Sequence, residues 1–380
     1  MSPGGSPLSL WGRMRGVQPV LPARPTHLCL LRLSALGDVC NLVPTVRALQ
    51  RHWPGVRITW VIGAAEHALL SGLSGVRFVV YDKSKGIRGM RAIWRRLSRA
   101  RFDALLQMQQ ALRASVLSLG INAGIRVGYD RERAKDRQHW FTHLQLPPHP
   151  RAHVLESFMD FARFLGVTDT KLEWDIPVPE GAFAEAGNVT GQEPYVVVSP
   201  CATPRMRNFR DWSPQGYAEV IAHLFKRHQI RTVLTGGGSS KELGMGEEII
   251  AGAGREAVIN AIGRTSIKGL LALIQRARAV IAPDSGPVHM ATAVGTPTVG
   301  LFATTNPERA APYCWKEQVV NSYPQAVRTY LHKDVDEIPW GSRVRHPEAM
   351  SLIRADEVIE AIEQLLQRFP DRVKCCTTTV

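Results

Sequence analysis

Short apolar blocks alternate with segments of helical periodicity along the first part of the chain. The block at 28–33 has the length of a buried strand and ends in a tight turn with the sequence SALGD. Pro44 fits a first helical turn, and apolar positions continue at helical spacing up to residue 53. A second strand is predicted at 56–62. A strand, a helix and a strand joined by short links predict a parallel sheet with right-handed crossovers.

The same alternation returns in the second half of the chain, so a second wound sheet is predicted. Apolar blocks of strand length occupy 195–199, 232–235, 279–282 and 298–302. Amphipathic helices are predicted at 214–227 and at 354–369. The fold class is therefore α/β, with two wound parallel sheets. If these sheets face one another, they form a central cleft with one substrate on each wall.

Length and composition support two folded domains. With 380 residues, of which 44% are hydrophobic and 21% charged, the chain exceeds one compact domain and can bury a sizeable core. The boundary is predicted at 191–194, because 177–194 is rich in proline, glycine and acidic residues. The predicted segments are a flexible N-terminal extension, two domains, a C-terminal helix and a tail, at 1–26, 27–190, 191–352, 353–370 and 371–380.

The cellular compartment is predicted from three features of the sequence. No segment reaches the roughly 18 apolar residues that a membrane-spanning helix needs. The first 26 residues lack the apolar run of a signal peptide. The six cysteines lack the paired spacing of zinc ligands, which fits a reducing compartment. We therefore expect a cytoplasmic protein.

The chain is strongly basic, and its charge is unevenly distributed. It has 47 Lys and Arg against 33 Asp and Glu, a net charge of +14. Residues 1–180 hold 25 basic and 13 acidic side chains, or +12, whereas 181–380 hold 22 and 20, or +2. This asymmetry favours an anionic partner for the first half: a nucleic acid, an anionic membrane surface or a phosphorylated substrate. Charge alone leaves the three open.

A basic segment at 83–101 contributes much of this excess. Its cations, with no acidic residue among them, are Lys83, Lys85, Arg88, Arg91, Arg95, Arg96, Arg99 and Arg101. Apolar residues recur at helical spacing on an adjoining stripe, namely Ile87, Met90, Trp94 and Leu97. Such a helix suits an anionic membrane surface or a phosphorylated glycolipid. The pattern fits equally well an ordinary surface helix that packs its apolar stripe inward.

Asp38 follows the first predicted strand, at the sheet edge where ligands of wound sheets collect. Gly37 allows a tight turn that leaves the carboxylate projecting. A carboxylate in this place can accept a proton from an acceptor hydroxyl, as a general base does. Capping a helix N-terminus is the commoner use of Asp, and spacing alone favours it. A helix capped at Asp38 would, however, contain Pro44 in its interior.

The segment 284–289, DSGPVH, also follows a predicted strand and precedes an apolar helix. The free amides and positive dipole end of that helix suit a diphosphate, and Ser285 and Gly286 are small enough for close approach. A plain helix start capped by Asp284 or Ser285 fits the residues equally well. His289 adds a donor, although an isolated histidine is more often a structural hydrogen-bonding residue.

Two further loops are candidate phosphate sites. They contain Gly236, Gly237 and Gly238 after one strand, and Arg205, Arg207 and Arg210 after another. A glycine triplet is more often a flexible loop, and arginines in such a loop are more often solvated. The chain has neither a dinucleotide-binding fingerprint nor a Walker-type sequence.

Three motifs in consistent order resemble those of the ADP-heptose:lipopolysaccharide heptosyltransferases. They are SALGD at 34–38, RVGYD at 126–130 and DSGPVHMA at 284–291, accompanied by Pro297 and Phe302. The resemblance implies two Rossmann-like domains of the GT-B type, the first acceptor-binding and the second nucleotide-sugar-binding. It also implies an inverting transfer of a heptose from ADP-heptose to the inner core of lipopolysaccharide, with no metal and no cofactor.

The resemblance also gives roles to individual residues. Asp38 matches the family's catalytic base, which reverses the preference for a cap. Arg210 stands where relatives have a basic residue that balances the leaving diphosphate. The expected donor-binding residues are Asp284, Ser285, Gly286, His289, Arg210, Gly236 and Gly237. The expected residues for the phosphorylated acceptor are Lys83, Lys85, Arg88, Arg131 and Arg133. This basic half then suits peripheral binding at an anionic membrane surface.

Three other interpretations remain open. A glycosyltransferase that uses another nucleotide sugar would bind UDP or GDP in preference to ADP. A nucleic-acid-binding protein fits the basic charge, but no stacking module or groove-reading motif accompanies it, so no nucleic acid partner is expected. A membrane-associated binding module without activity would show no glycosyl transfer. The sequence leaves the acceptor hydroxyl and the oligomeric state open.

Overall fold

The computed structural model describes residues 23–191, 193–202 and 208–370. The chain divides into two compact units, the first ending at Pro177 and the second beginning at Val178. Each unit contains one six-stranded parallel sheet with helices. The predicted tail, most of the predicted N-terminal extension, and Arg205 and Arg207 lie outside the described residues.

The first unit is built around a sheet whose strand order is β3-β2-β1-β4-β5-β6. Its strands are β1 (His27–Leu31), β2 (Arg57–Gly63), β3 (Val76–Tyr81), β4 (Phe102–Gln107), β5 (Ala123–Gly128) and β6 (Leu144–Gln145). Its helices are α1 (Leu36–His52), α2 (Ala64–Leu70), α3 (Gly86–Leu97), α4 (Leu112–Leu119) and α5 (Val154–Phe164). Every strand pairing is parallel, so all six carboxyl ends lie at one edge.

The second unit repeats this architecture with the strand order β12-β11-β10-β7-β8-β9, again parallel throughout. Its strands are β7 (Tyr195–Val198), β8 (Arg231–Leu234), β9 (Val258–Asn260), β10 (Ala279–Pro283), β11 (Thr298–Phe302) and β12 (Val319–Asn321). Its helices are α6 (Glu180–Thr190), α7 (Pro214–His228), α8 (Ser240–Ala253), α9 (Ile267–Arg276), α10 (Gly286–Ala293), α11 (Pro307–Ala310), α12 (Tyr323–Leu331) and α13 (Ala355–Arg368).

Short 3-10 helices connect some of these elements. They lie at Lys83–Lys85, Gln138–Trp140, Arg255–Ala257, Tyr313–Gln318, Val335–Glu337 and Pro347–Leu352. The strand predicted at 298–302 is confirmed at both ends, and the others agree to within a few residues. Burial explains this agreement, because both faces of a parallel sheet are covered and its strands read as continuous apolar runs.

The prediction for the first helix was wrong at its N-terminus. Helix α1 begins at Leu36, so Pro44 lies inside it and not in its first turn. The carboxylate of Asp38 accepts the backbone N–H of Ala35 at 3.1 Å, which satisfies an amide at the helix start. The turn after β1 therefore runs directly into the helix.

The division between the units also differs from the predicted boundary at 191–194. Helix α6 precedes that boundary but belongs to the second unit. The carboxylate of Glu185 in α6 accepts hydrogen bonds from the backbone N–H, at 2.5 Å, and the hydroxyl, at 2.6 Å, of Ser266. Since Ser266 is the N-cap residue of α9, these contacts attach α6 to helix α9 of the second unit. The composition of 177–194 marks the link only approximately.

The basic segment at 83–101 forms the helix α3 with its apolar stripe turned to the core. Met90, Ile93 and Leu97 are buried against the first sheet. Ile87, which was assigned to the same stripe, is 52% exposed. Of the other three residues of the predicted stripe, Met90 and Leu97 are buried, which contributes about 1.5–3 kcal/mol each, and Trp94 is half-buried against the same cluster. The inward-packed alternative is therefore correct for most of the stripe, and the helix still presents its cations to solvent.

Candidate active site

Asp38 lies in the first turn of α1, just past the carboxyl end of β1. Its Oδ2 atom accepts hydrogen bonds from Ala35 N–H and from the guanidinium of Arg32. The side chain is 30% exposed, so solvent and small molecules reach it. The interpretation of Asp38 as the N-cap residue is therefore wrong, because the N-cap is Ala35 and the Asp38 carboxylate accepts the Ala35 N–H from inside the first turn. The role of Asp38 as a general base stays a prediction.

Arg32 is a partner of Asp38 that the sequence analysis did not select. It is the first residue after β1, and its side chain is only 12% exposed. Besides the ion pair with Asp38, its Nη1 donates to the backbone carbonyl of Met108 at 2.7 Å. Its guanidinium carbon lies 5.2 Å from the centre of the Phe158 ring. The signal in the sequence was a basic residue within the first apolar block, two residues before the SALGD segment.

Glu66 is a second carboxyl near Asp38 that the sequence analysis missed. It lies in the first turn of α2, directly after β2, and is 8% exposed. Burial raises the pKa of the Glu66 carboxyl, opposed by the nearby cations Lys83 and Arg32. Two carboxyls in different environments therefore lie near the carboxyl ends of β1 and β2, and the charge of Arg32 acts on both.

In the second unit, the structure brings Arg210 and Asp284 into contact. Arg210 Nη1 donates to the backbone carbonyl of Asp284 at 2.6 Å and lies 3.3 Å from its Oδ2. Arg210 Nε donates to the amide oxygen of Asn208 at 2.7 Å. Both side chains of the ion pair are 12% exposed. A largely buried cation is therefore fixed at the carboxyl end of β10.

The segment after β10 starts α10 as the sequence indicated. Ser285 is the N-cap residue, and its hydroxyl donates to the carbonyl of Pro283 at 3.0 Å instead of capping the helix. Gly286 and Pro287 open the first turn, and His289 is buried in the second. The first amides of α10 and the Arg210 guanidinium together provide positive charge suited to a phosphate group.

The glycine loop after β8 is arranged differently from the expectation. The carboxylate of Glu242 accepts hydrogen bonds from the backbone N–H groups of Gly237, at 2.8 Å, and Ser239, at 2.9 Å. Gly236 lies beside the same carboxylate. An internal anion thus occupies the position that was predicted for a phosphate. The backbone of Gly238 approaches that of Gly263 so closely that a Cβ would lie 2.9 Å from its Cα.

Arg133 differs in exposure from the other basic residues that were predicted to bind the acceptor. Lys83, Lys85, Arg88 and Arg131 are exposed. Arg133 is 14% exposed; it is paired with Asp130 and, at 2.6 Å, with Asp160. It also donates to the carbonyl of Pro147 at 3.0 Å. Its guanidinium therefore supports the fold of the segment after β5.

Within 23–191, 193–202 and 208–370, none of the helices is long and apolar enough to cross a bilayer. In the same ranges, no group of three or more His, Cys, Asp or Glu side chains is placed to hold a metal ion.

Comparisons with known proteins define the class. The model for glycosyltransferase family 9 (heptosyltransferase) matches residues 90–335. The lipopolysaccharide core heptosyltransferase OpsX of Haemophilus influenzae is 35% identical over 348 residues, covering 91% of this chain and 99% of the relative. The chain therefore belongs to glycosyltransferase family 9, the heptosyltransferases. The predicted family and the predicted enzyme class, a glycosyltransferase, are confirmed.

Solved structures share the fold. The family 9 glycosyltransferase of Veillonella parvula superposes with a TM-score of 0.72 at 22% identity, covering 93% of this chain and 100% of that one. The Escherichia coli heptosyltransferase WaaC with ADP-2-deoxy-2-fluoro heptose gives a TM-score of 0.67 at 18% identity, covering 89% and 99%. The predicted α/β class with two parallel Rossmann-like sheets is confirmed. The roles predicted for single residues stay predictions.

Proposed function

We propose that this protein transfers a heptose from ADP-heptose to the inner core of lipopolysaccharide, with inversion at the anomeric carbon. The relative named above as a lipopolysaccharide core heptosyltransferase supports the acceptor class. The solved relative that carries an ADP-heptose analogue supports the donor. The observation that carries the proposal for this chain is the Arg210–Asp284 contact at the start of α10, because it fixes a cation where a diphosphate would need one.

The reaction assigns one role to each unit. In the first unit, Asp38 accepts the proton of the acceptor hydroxyl. At the same time the oxygen of that hydroxyl forms a bond to the anomeric carbon of the heptose. The bond from that carbon to the diphosphate oxygen breaks, and ADP leaves with the electron pair. In the second unit, Arg210 and the first amides of α10 stabilise the negative charge that develops on the diphosphate. Ser285 and Gly286 allow the phosphates to approach the backbone, and His289 adds a donor from the second turn.

The exposed cations after β3 and β5 provide a surface for the acceptor. Lys83, Lys85, Arg88 and Arg131 carry charge that complements acidic sugars and phosphates. Arg133 is not included, since its guanidinium is engaged within the protein. Neutralising Lys83 and Lys85 together should raise the KM for the acceptor and leave the KM for ADP-heptose unchanged.

Peripheral binding to an anionic membrane is part of the same proposal. Three exposed apolar side chains follow successive parallel strands, namely Ile87 after β3, Leu112 after β4 and Trp140 after β5. Their strands end at one edge of the sheet, so these side chains and the cations lie along the same rim. Vesicles with and without phosphatidylglycerol test this binding. Replacing Ile87 and Leu112 by Ser should weaken it, whereas Leu243→Ser, at an exposed apolar position in the second unit, should not.

The reaction is tested by release of ADP from ADP-heptose in the presence of a heptose-deficient core acceptor. Asp38→Asn should abolish release while circular dichroism shows an unchanged fold. Asp169→Asn is the matched control, because this carboxylate belongs to a half-buried ion pair with Arg51 at the far end of α1. Normal turnover by Asp38→Asn would contradict the base assignment. Stronger competition by UDP or GDP than by ADP would indicate another nucleotide sugar.

A further inference from the structure

Arg32 joins three separate parts of the first unit at the position of Asp38. Its Nη2 donates to Asp38 Oδ2, and its Nη1 donates to the carbonyl of Met108, which lies 76 residues further along the chain. Its guanidinium carbon lies 5.2 Å from the Phe158 ring centre, on α5. With a side chain that is 12% exposed, Arg32 has little freedom to move.

The contacts of Arg32 restrict the orientation of the Asp38 carboxylate. Oδ2 receives two hydrogen bonds, from Arg32 Nη2 and from the backbone N–H of Ala35. Two donors on one oxygen select one rotamer of the carboxylate. A general base works efficiently only when its oxygen is already aligned with the proton that it removes. The Met108 carbonyl and the Phe158 ring keep the guanidinium in place when Asp38 changes its charge.

We infer that Arg32 is the positioning residue of Asp38: it orients the carboxylate toward the acceptor and keeps it ionised in the free enzyme. This inference rests on the proposed role of Asp38 as the base. Both Nη groups of Arg32 donate to protein acceptors, and one of these acceptors is the Asp38 carboxylate, so Arg32 can act through Asp38. A guanidinium next to a carboxylate stabilises the charged form, which is the form that accepts a proton.

Other titratable groups near Asp38 have weaker or opposing effects. The Glu66 carboxyl, on α2, opposes the ionisation of Asp38 when it is itself charged, and burial raises its pKa. Lys83 lies near Glu66 and favours its charged form. Cys40, on α1, is buried, and burial with the Asp38 charge raises the pKa of its thiol to about 12, so it stays neutral. Arg32 is a cation in direct contact with the base.

The test is the pH profile of kcat/KM for ADP release between about pH 4.5 and pH 9 in three variants. Arg32→Gln removes the charge, and its acidic limb should move upward by about one pH unit or more, with a loss of about tenfold or more near pH 6. Arg32→Lys keeps the charge but loses the planar fork, so its limb should stay near that of the wild type while kcat falls. Arg51→Gln breaks an ion pair at the other end of α1 and should shift nothing.

The outcomes separate this inference from the proposed function. A uniform loss at all pH values in Arg32→Gln, with no movement of the limb, would mean a purely structural role and would overturn the inference. If Arg32→Gln does not fold, Arg32→Lys decides, because a limb displaced upward in spite of the retained charge contradicts the inference. If Asp38→Asn keeps full activity, the assignment of Asp38 as the base is wrong, and the positioning role of Arg32 falls with it. If Asp38→Asn is inactive and Arg32→Gln keeps the wild-type limb, only the positioning role fails.

Discussion

The indole Nε1 of Trp174 donates a hydrogen bond of 2.9 Å to the backbone carbonyl of Cys40. That carbonyl lies four residues before Pro44, which has no N–H to donate to it. Helix α1 therefore continues through a proline because a side chain 134 residues away replaces the missing hydrogen bond. This contact stabilises the helix that carries Asp38.

Removing the Trp174 indole N–H should destabilise the first unit in a way that depends on Pro44. Trp174→Phe leaves the Cys40 carbonyl without its partner and should lower the free energy of unfolding by about 1–3 kcal/mol. In a Pro44→Ala background, residue 44 supplies the N–H itself, so the same substitution should cost less. Urea unfolding of the four proteins in this double-mutant cycle measures the difference. Equal losses in both backgrounds would show that the indole N–H does not compensate for the proline.

Gly63 is required by the close approach of two turns at the edge of the first sheet. A Cβ at this position would lie 2.4 Å from the carbonyl oxygen of Leu33 and 2.4 Å from Glu66 Oε2. Gly63→Ala should therefore cost about 1–3 kcal/mol and reduce turnover, because Leu33 belongs to the turn that precedes Asp38.

Gly181→Ala provides the matched control for this substitution. A Cβ at Gly181, in helix α6, meets nothing within 4 Å. Alanine is the better helix former, so the free energy of unfolding should stay unchanged or rise by up to about 1 kcal/mol. Thermal melts and ADP release of both variants give the comparison. Wild-type stability in Gly63→Ala would mean that the turn after β1 moves freely.

The buried His27 should make stability depend on pH. Its ring contacts the Thr59 hydroxyl at 2.9 Å, and burial together with the charge of Arg57 lowers the pKa of the imidazole below 6.5. Below pH 6.5 the unfolded chain therefore binds more protons than the folded one, and the free energy of unfolding falls as the pH decreases toward the folded pKa. Above pH 6.5 the imidazole is neutral in both the folded and the unfolded chain, so His27 causes no loss of unfolding free energy there.

Urea unfolding at pH 7.5, 6.5 and 5.5 measures the contribution of His27. His27→Gln should lose less stability than the wild type between pH 7.5 and pH 5.5, because glutamine does not titrate. The exposed His52, replaced in the same way, is the control for the substitution itself. An identical dependence in wild type and His27→Gln would contradict the assignment.

Arg210 should act on the departure of ADP more than on the stability of the second unit. Arg210→Gln removes the cation at the start of α10 and should lower kcat/KM by about 10²–10³-fold through the loss of charge stabilisation. Arg210→Lys keeps the positive charge, so its kcat/KM should lie between those of Arg210→Gln and the wild type. Arg354→Gln breaks an exposed ion pair with Asp356 in the same unit and is the control. Equal kcat/KM values in Arg210→Gln and Arg354→Gln would exclude the role in catalysis.

The apolar periodicity of the chain determined most of the fold. The strand at 298–302 and the helix at 214–227 were predicted nearly to the residue, since burial of both sheet faces and a good N-cap are visible locally. The segment after β10 was also recognisable, because strand, small residues and helix follow one another directly. Motif order then indicated the family, although the charge pattern alone left three classes of partner open.

Only the tertiary structure decided which polar groups meet. Arg32 with Met108, Trp174 with Cys40 and Arg133 with Asp160 join positions far apart in the sequence. No local pattern marks such pairs, because they depend on strand order and on how helices cover the sheet. The same reason explains why Arg133 resembled a surface cation and Gly237 a phosphate contact. Local burial fixes the elements from the sequence, whereas long-range contacts among polar groups arise only when the sheets assemble.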